Sequence, residues 1–71
     1  MSIAEMKNGE VKTITGFTDD ELSLKLMEMG CLPGTSVKFN YVAPFGDPVC
    51  IQVEGYDLSL RVIEAASVTV E

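Results

Sequence analysis

The chain has 71 residues, 46% of them apolar, and eleven acidic against five basic side chains give it a net charge of −6. A chain this short makes one domain that buries about 60% of its unfolded surface, which leaves little apolar material to wall a deep substrate chamber. The negative sign disfavours a nucleic-acid backbone or an anionic lipid face and favours a basic protein patch or a cation, unless the charge serves only solubility.

Residues 1–10 are sparsely apolar, with Ile3 and Met6 as anchors and Asn8-Gly9 as a turn. Val11, Thr13, Ile14 and Thr15 predict a first strand from Val11 to Phe17. Thr18-Asp19-Asp20-Glu21 reads as a capping box with Thr18 as the cap, flanked by a hydrophobic staple between Phe17 and Leu22. The acidic cluster suits the positive end of a helix dipole. Leu22, Leu26 and Met29 then fall on one helical stripe, which Leu24 and Met27 widen. Gly30 ends the helix, and Pro33-Gly34 fills the centre of a type II turn. About a dozen residues of helix are marginal alone, so this one must lie against a sheet.

From Thr35 onward the period becomes two. Val37, Phe39, Tyr41 and Ala43 are expected on one face, with Lys38 and Asn40 on the other. Pro44-Phe45-Gly46-Asp47-Pro48 interrupts the run, because two prolines cannot continue a paired ladder. A five-residue connection would set Ala43 opposite Val49, Tyr41 opposite Ile51 and Phe39 opposite Val53. Gly55-Tyr56 reads as a type II′ turn, pairing Val53 with Leu58, Ile51 with Leu60 and Val49 with Val62. Ile63 to Ala66 has room for one helical turn, and Ser67 to Glu71 for a last strand with Val68 and Val70 inward. The expected architecture is mainly β with one inserted helix: a small SH3-like β-barrel of about five strands, partly closed, with the helix as a plug.

Three segments carry a resemblance. Leu26-Met27-Glu28-Met29-Gly30-Cys31-Leu32-Pro33-Gly34-Thr35 resembles the "L-x-E-x-G-x-x-P-G-T" segment of the FeoA family. Ala43 to Val49 resembles its second hallmark loop, and Gly55 to Arg61 followed by Glu64-Ala65 its third. The likeness runs from about Met6 to Glu71, in order and at close spacing; the departure is a low basic content, with Arg61 the single arginine. The resemblance implies a small cytosolic SH3-like protein of bacterial ferrous iron uptake whose partner is the cytosolic GTP-binding domain of the FeoB transporter. The same fold resembles the C-terminal domain of iron-dependent repressors, so a stand-alone regulatory interaction module is the alternative.

The chemistry points away from an enzyme. There is no histidine, no nucleophile elbow and no phosphate-cradling glycine loop, and Asp47 and Glu64 form no recognisable carboxylate pair. Cys31 and Cys50 match no zinc spacing and are expected to be reduced. Met27 and Met29 fit core better than ligand, and scattered carboxylates would hold iron loosely, so no cofactor or metal site is expected. Nothing in the N-terminal residues resembles a signal pattern and no apolar run reaches a membrane span, so a cytoplasmic location is expected, with membrane association only through the partner and at most weak self-association. With Phe39 and Tyr41 expected inside, a proline-peptide groove is disfavoured. Arg61 could serve as an arginine finger on a partner GTPase, or sit opposite Cys50 and pair with Glu64. Phe45, between two prolines, is the leading contact anchor, against the alternative that it folds over the barrel end. Cys31 and Leu32, just past the helix, either extend the same apolar surface or cap the core; the candidate partner-binding set is Met29, Cys31, Leu32, Pro44, Phe45, Asp47, Tyr56 and Arg61.

Overall fold

In the computed structural model, which describes residues 1–71, a turn of 3-10 helix at Ile3–Glu5 leads into the regular elements. These are β1 (Val11–Phe17), α1 (Asp20–Glu28), β2 (Ser36–Val42), β3 (Val49–Val53), β4 (Tyr56–Leu60), α2 (Val62–Ala65) and β5 (Val68–Val70). The strands form one antiparallel sheet in the order β4-β3-β2-β1-β5. Its two edge strands do not pair, so the fold is SH3-like with the barrel left unclosed. One face of the sheet gathers a core of 14 buried apolar residues. Val37, Ile51 and Leu60 are at most 1% exposed, and Ile3, Leu26 and Val68 are fully enclosed with them. The expected anchor Met6 is buried too.

Helix α1 starts one residue later than the capping-box reading placed it. The Asp19 carboxylate accepts from the amides of Glu21 (2.9 Å) and Leu22 (3.2 Å). Thr18 is committed elsewhere: its amide donates to the Ser67 carbonyl at 2.8 Å, tying the chain to the approach of β5, and its hydroxyl donates to the same oxygen at 3.5 Å. A side chain held by that bond cannot also cap the helix, and the neighbouring Asp takes over. Phe17 and Leu22 still pack half-buried against the core. Of the apolar stripe, Leu26 is fully buried, Leu22 and Met29 are half-buried, and Leu24 points to solvent at 63% exposure.

The helix ends as a Schellman motif. The Gly30 amide donates to the Met27 carbonyl and the Cys31 amide to the Leu26 carbonyl, each at 3.0 Å, with Gly30 at φ +110°. Leu26 and Cys31, the two residues that such a motif brings together, are both fully buried. The Thr35 amide then closes the Pro33-Gly34 turn on the Leu32 carbonyl at 3.1 Å.

Two registers differ from the sequence expectation. In β2 a bulge lies between Phe39 and Tyr41, so that Phe39 faces Ile51 while Tyr41 faces Cys50 and Val42 faces Val49. The extra residue breaks the period of two, and Tyr41 turns outward to 54% exposure instead of joining Val37 and Phe39. In the next hairpin the turn residues are Glu54-Gly55, at φ +51° and +84°, a type I′ pattern one residue earlier than the expected Gly55-Tyr56. The pairs become Val53 with Tyr56, Ile51 with Leu58 and Val49 with Leu60. This differs from the expected pairing by two residues on β4, so Leu60 stays inward and Leu58 stays on the core side, half-buried. Val62 pairs with nothing in the sheet and instead opens α2.

Candidate docking surface

The end of α1, the turn before β2 and the β3–β4 hairpin enclose an open groove of about 420 Å³. Its apolar walls are Met29, Leu32, Val53, Tyr56 and Leu58, and its rim carries Glu54 and Asp57. No basic residue lines it. Three of the expected contact residues, Met29, Leu32 and Tyr56, thus come together here, Leu32 and Tyr56 being exposed. Cys31 does not join them. The Schellman turn drives it into the core with no exposed surface, which corrects its place among the contact residues.

Phe45 stands at the other end of β3, on the loop between β2 and β3. It is 99% exposed, which rules out the alternative that it folds back over the core. The loop beneath it is pinned. The Gly46 amide donates to the Ala43 carbonyl (2.8 Å), the Ala43 amide to the Pro48 carbonyl (3.0 Å), and the Val62 amide to the Asp47 carboxylate (3.1 Å). The last bond satisfies an orphan donor at the start of α2 and ties the loop to Arg61-Val62-Ile63. Ile63 is 70% exposed and Arg61 is also on the surface. Pro44, Phe45, Asp47 and Arg61 therefore form a second cluster, separate from the groove. Strand β4 runs between them, with Tyr56 at one end and Arg61 just past the other.

Arg61 does not pair with Glu64 through its guanidinium, nor does it face Cys50, which sits opposite Ser59. Its backbone amide donates to one Glu64 oxygen at 2.8 Å, while Lys25 Nζ donates to the other at 2.7 Å. Glu64 is 5% exposed, and the Lys25 hydrogen bond first, then the Arg61 amide, hold its carboxyl below the ordinary value. This bridge locks α2 to α1. Burial, followed by the nearby Glu64 charge, pushes the Cys31 thiol up, away from reactivity. A smaller hollow of about 200 Å³ and mixed lining adjoins the groove at Asp57 and Leu58, beside Asn40, Tyr41, Cys50 and Ser59.

Sequence reasoning missed Glu54, Leu58 and Ile63. Placing the turn at Glu54-Gly55 would have exposed the first two, but Glu-Gly lacks the Asn, Asp or Gly that marks the first position of a type I′ turn. Ile63 gave no signal, because a single helical turn is too short to show a periodic face.

The family model of the FeoA domain matches residues 1–71. The chain belongs to the FeoA family. Among solved FeoA structures, the FeoA-like protein of Clostridium acetobutylicum is 32% identical with a TM-score of 0.91, the match covering 100% of this chain and 84% of that one. The FeoA of Stenotrophomonas maltophilia, complexed with zinc, is 26% identical with a TM-score of 0.86 over 100% of this chain and 89% of that one. That protein is described as a procaryotic SH3 domain protein proposed as a ferrous iron transport activating factor. A manganese-dependent transcriptional repressor shares the fold, at 11% identity and a TM-score of 0.87, over 99% of this chain and 40% of the repressor. FeoA proteins are small accessory proteins of iron transport. No three His, Cys, Asp or Glu side chains of this FeoA chain converge as a metal site, and none of its helices is long and apolar enough to cross a membrane.

Proposed function

We propose that this chain is a non-enzymatic, cytoplasmic accessory protein of ferrous iron uptake that docks on the cytosolic GTP-binding domain of an FeoB-type transporter and tunes its activity. The observation that carries the reading is Phe45: an aromatic ring 99% exposed on a loop pinned by three hydrogen bonds. An anchored aromatic gives up little freedom on binding, and burying a phenylalanine ring is worth about 1.5–3 kcal/mol. The surrounding Pro44, Ile63 and Arg61 supply a rim of mixed apolar and charged character.

Calorimetric titration of the transporter's GTP-binding domain with the native chain and with Phe45→Ser tests the proposal. Because Phe45 packs against nothing, the substitution leaves the fold intact and lowers affinity at least about tenfold. Equal affinities would remove Phe45 as the anchor, and heat-silent mixing of the native chain would remove the docking itself.

A further inference from the structure

The two edges of the sheet are treated differently. At β5, the Val70 amide donates to the Met1 carbonyl at 2.8 Å and Ser2 bridges Thr69, so the N-terminal residues occupy the outer side of that strand. At β4 no backbone group bonds to anything but β3. In a two-residue hairpin the pair flanking the turn is hydrogen-bonded and pairs then alternate, so Val53–Tyr56, Ile51–Leu58 and Val49–Leu60 carry the ladder. The amides and carbonyls of Asp57 and Ser59 therefore face outward, unpaired. Natural sheets blunt such edges with lysine, proline or a covering segment. β4 reads Tyr-Asp-Leu-Ser-Leu: it has no lysine or proline, and its one charge, the exposed Asp57, is acidic and so guards the edge only against segments that are not basic.

We infer that β4 is a receiving edge for an extended peptide segment of a partner protein, one with an apolar residue at its centre and Lys or Arg beside it. The segment adds a strand along β4, taking the free groups of Asp57 and Ser59, and its apolar side chain enters the groove of Met29, Leu32 and Leu58. Its basic residues meet Glu54 and Asp57 on a rim with no positive charge of its own, in a chain of net charge −6. Glu54 sits at φ +51° in a turn position where Asn is the favoured residue, so an acid is kept there at a conformational cost. Five residues of strand span about 17 Å, which takes the segment from the groove to the Arg61 end of β4. This inference deepens the docking reading, on which it rests for the identity of the partner, but the edge itself can be tested apart from it.

The probe is an acetylated pentapeptide with leucine at its centre, valine on either side and arginine at both ends, titrated into the isotope-labelled chain and followed by NMR. The expected result is saturable downfield movement of the Asp57 and Ser59 amide protons together with shifts of Met29 and Leu32. A peptide with glutamate ends binds about tenfold more weakly, and N-methylation along one edge of the arginine peptide removes binding. Glu54→Asn keeps the turn and weakens the arginine peptide about threefold. No movement at Asp57 and Ser59 at millimolar peptide, or equal binding by the methylated peptide, overturns the inference. Titration with the transporter's GTP-binding domain separates the two readings. Displacement of the domain by saturating peptide supports the β4 assignment, and a domain that stays bound overturns it while docking stands. Peptide binding without any response to the domain supports the receiving edge and overturns only the docking reading.

Discussion

Glu64 is a carboxylate taken almost wholly out of water, yet its charge is kept because Lys25 Nζ and the Arg61 amide occupy its two oxygens. Its folded value lies below the ordinary 4.5, so its contribution to stability is full above about that pH and fades as pH falls through the lower folded value. Lys25 is 61% exposed, which screens the pair and holds the charge's worth to about 1 kcal/mol. Glu64→Gln should therefore lower the urea midpoint at neutral pH, with the gap to the native chain narrowing below pH about 4.5; a gap constant with pH would assign the loss to shape and not to charge. The cysteines make a second contrast. Cys31 is enclosed and its thiol is pushed up, whereas Cys50 lies half-exposed on the outer face near Ser59. A disulfide reagent should label a single thiol per native chain rapidly, and both after denaturation. Two equally fast thiols in the native protein would mean that the turn after α1 opens readily.

At the level of elements, what the sequence showed and what it hid follow one physical rule. Patterns that repeat were legible: the apolar alternation of β3, the burial of Leu26, the left-handed end at Gly30 and the inward pair Val68 and Val70 all appear as expected. Features set by a single competing contact were not. Thr18 looked like a cap until its bond to Ser67 took it away, and Asp19 caps α1 in its place. Asp19→Ala should cost about 1 kcal/mol in chemical denaturation, with a much smaller loss for Thr18→Ala; the reverse order would restore the capping box. The bulge that turned Tyr41 outward, and the hairpin that closed at Glu54-Gly55, are likewise decided by one residue each. The hairpin displacement is even in number and leaves the same residues facing the core; the odd displacement at the bulge moves Tyr41 to the other face. The candidate site suffered more than the fold. The sequence leaves Phe45, Leu32 and Cys31 each between surface and core, and the fold exposes the first two and buries the third; nothing in the sequence places Phe45 and Met29 at opposite ends of β3.

Considered whole, the molecule encloses no chamber. Its hollows are an open apolar groove and a smaller one of mixed lining, and its most exposed large apolar side chains, Phe45, Tyr56 and Ile63, lie on the loop, hairpin and helical turn around β4. The N-terminal residues seal the opposite edge. That asymmetry leaves one edge of the sheet open and the other covered. The most direct measurement is the map of amide shifts when the labelled chain is titrated with the transporter's GTP-binding domain. Shifts should concentrate at residues 44–47, 56–63 and the groove, with β5 and the N-terminal residues still. A map centred on Met1–Glu5 and Val68–Val70, or no shifts at millimolar domain, would contradict that expectation.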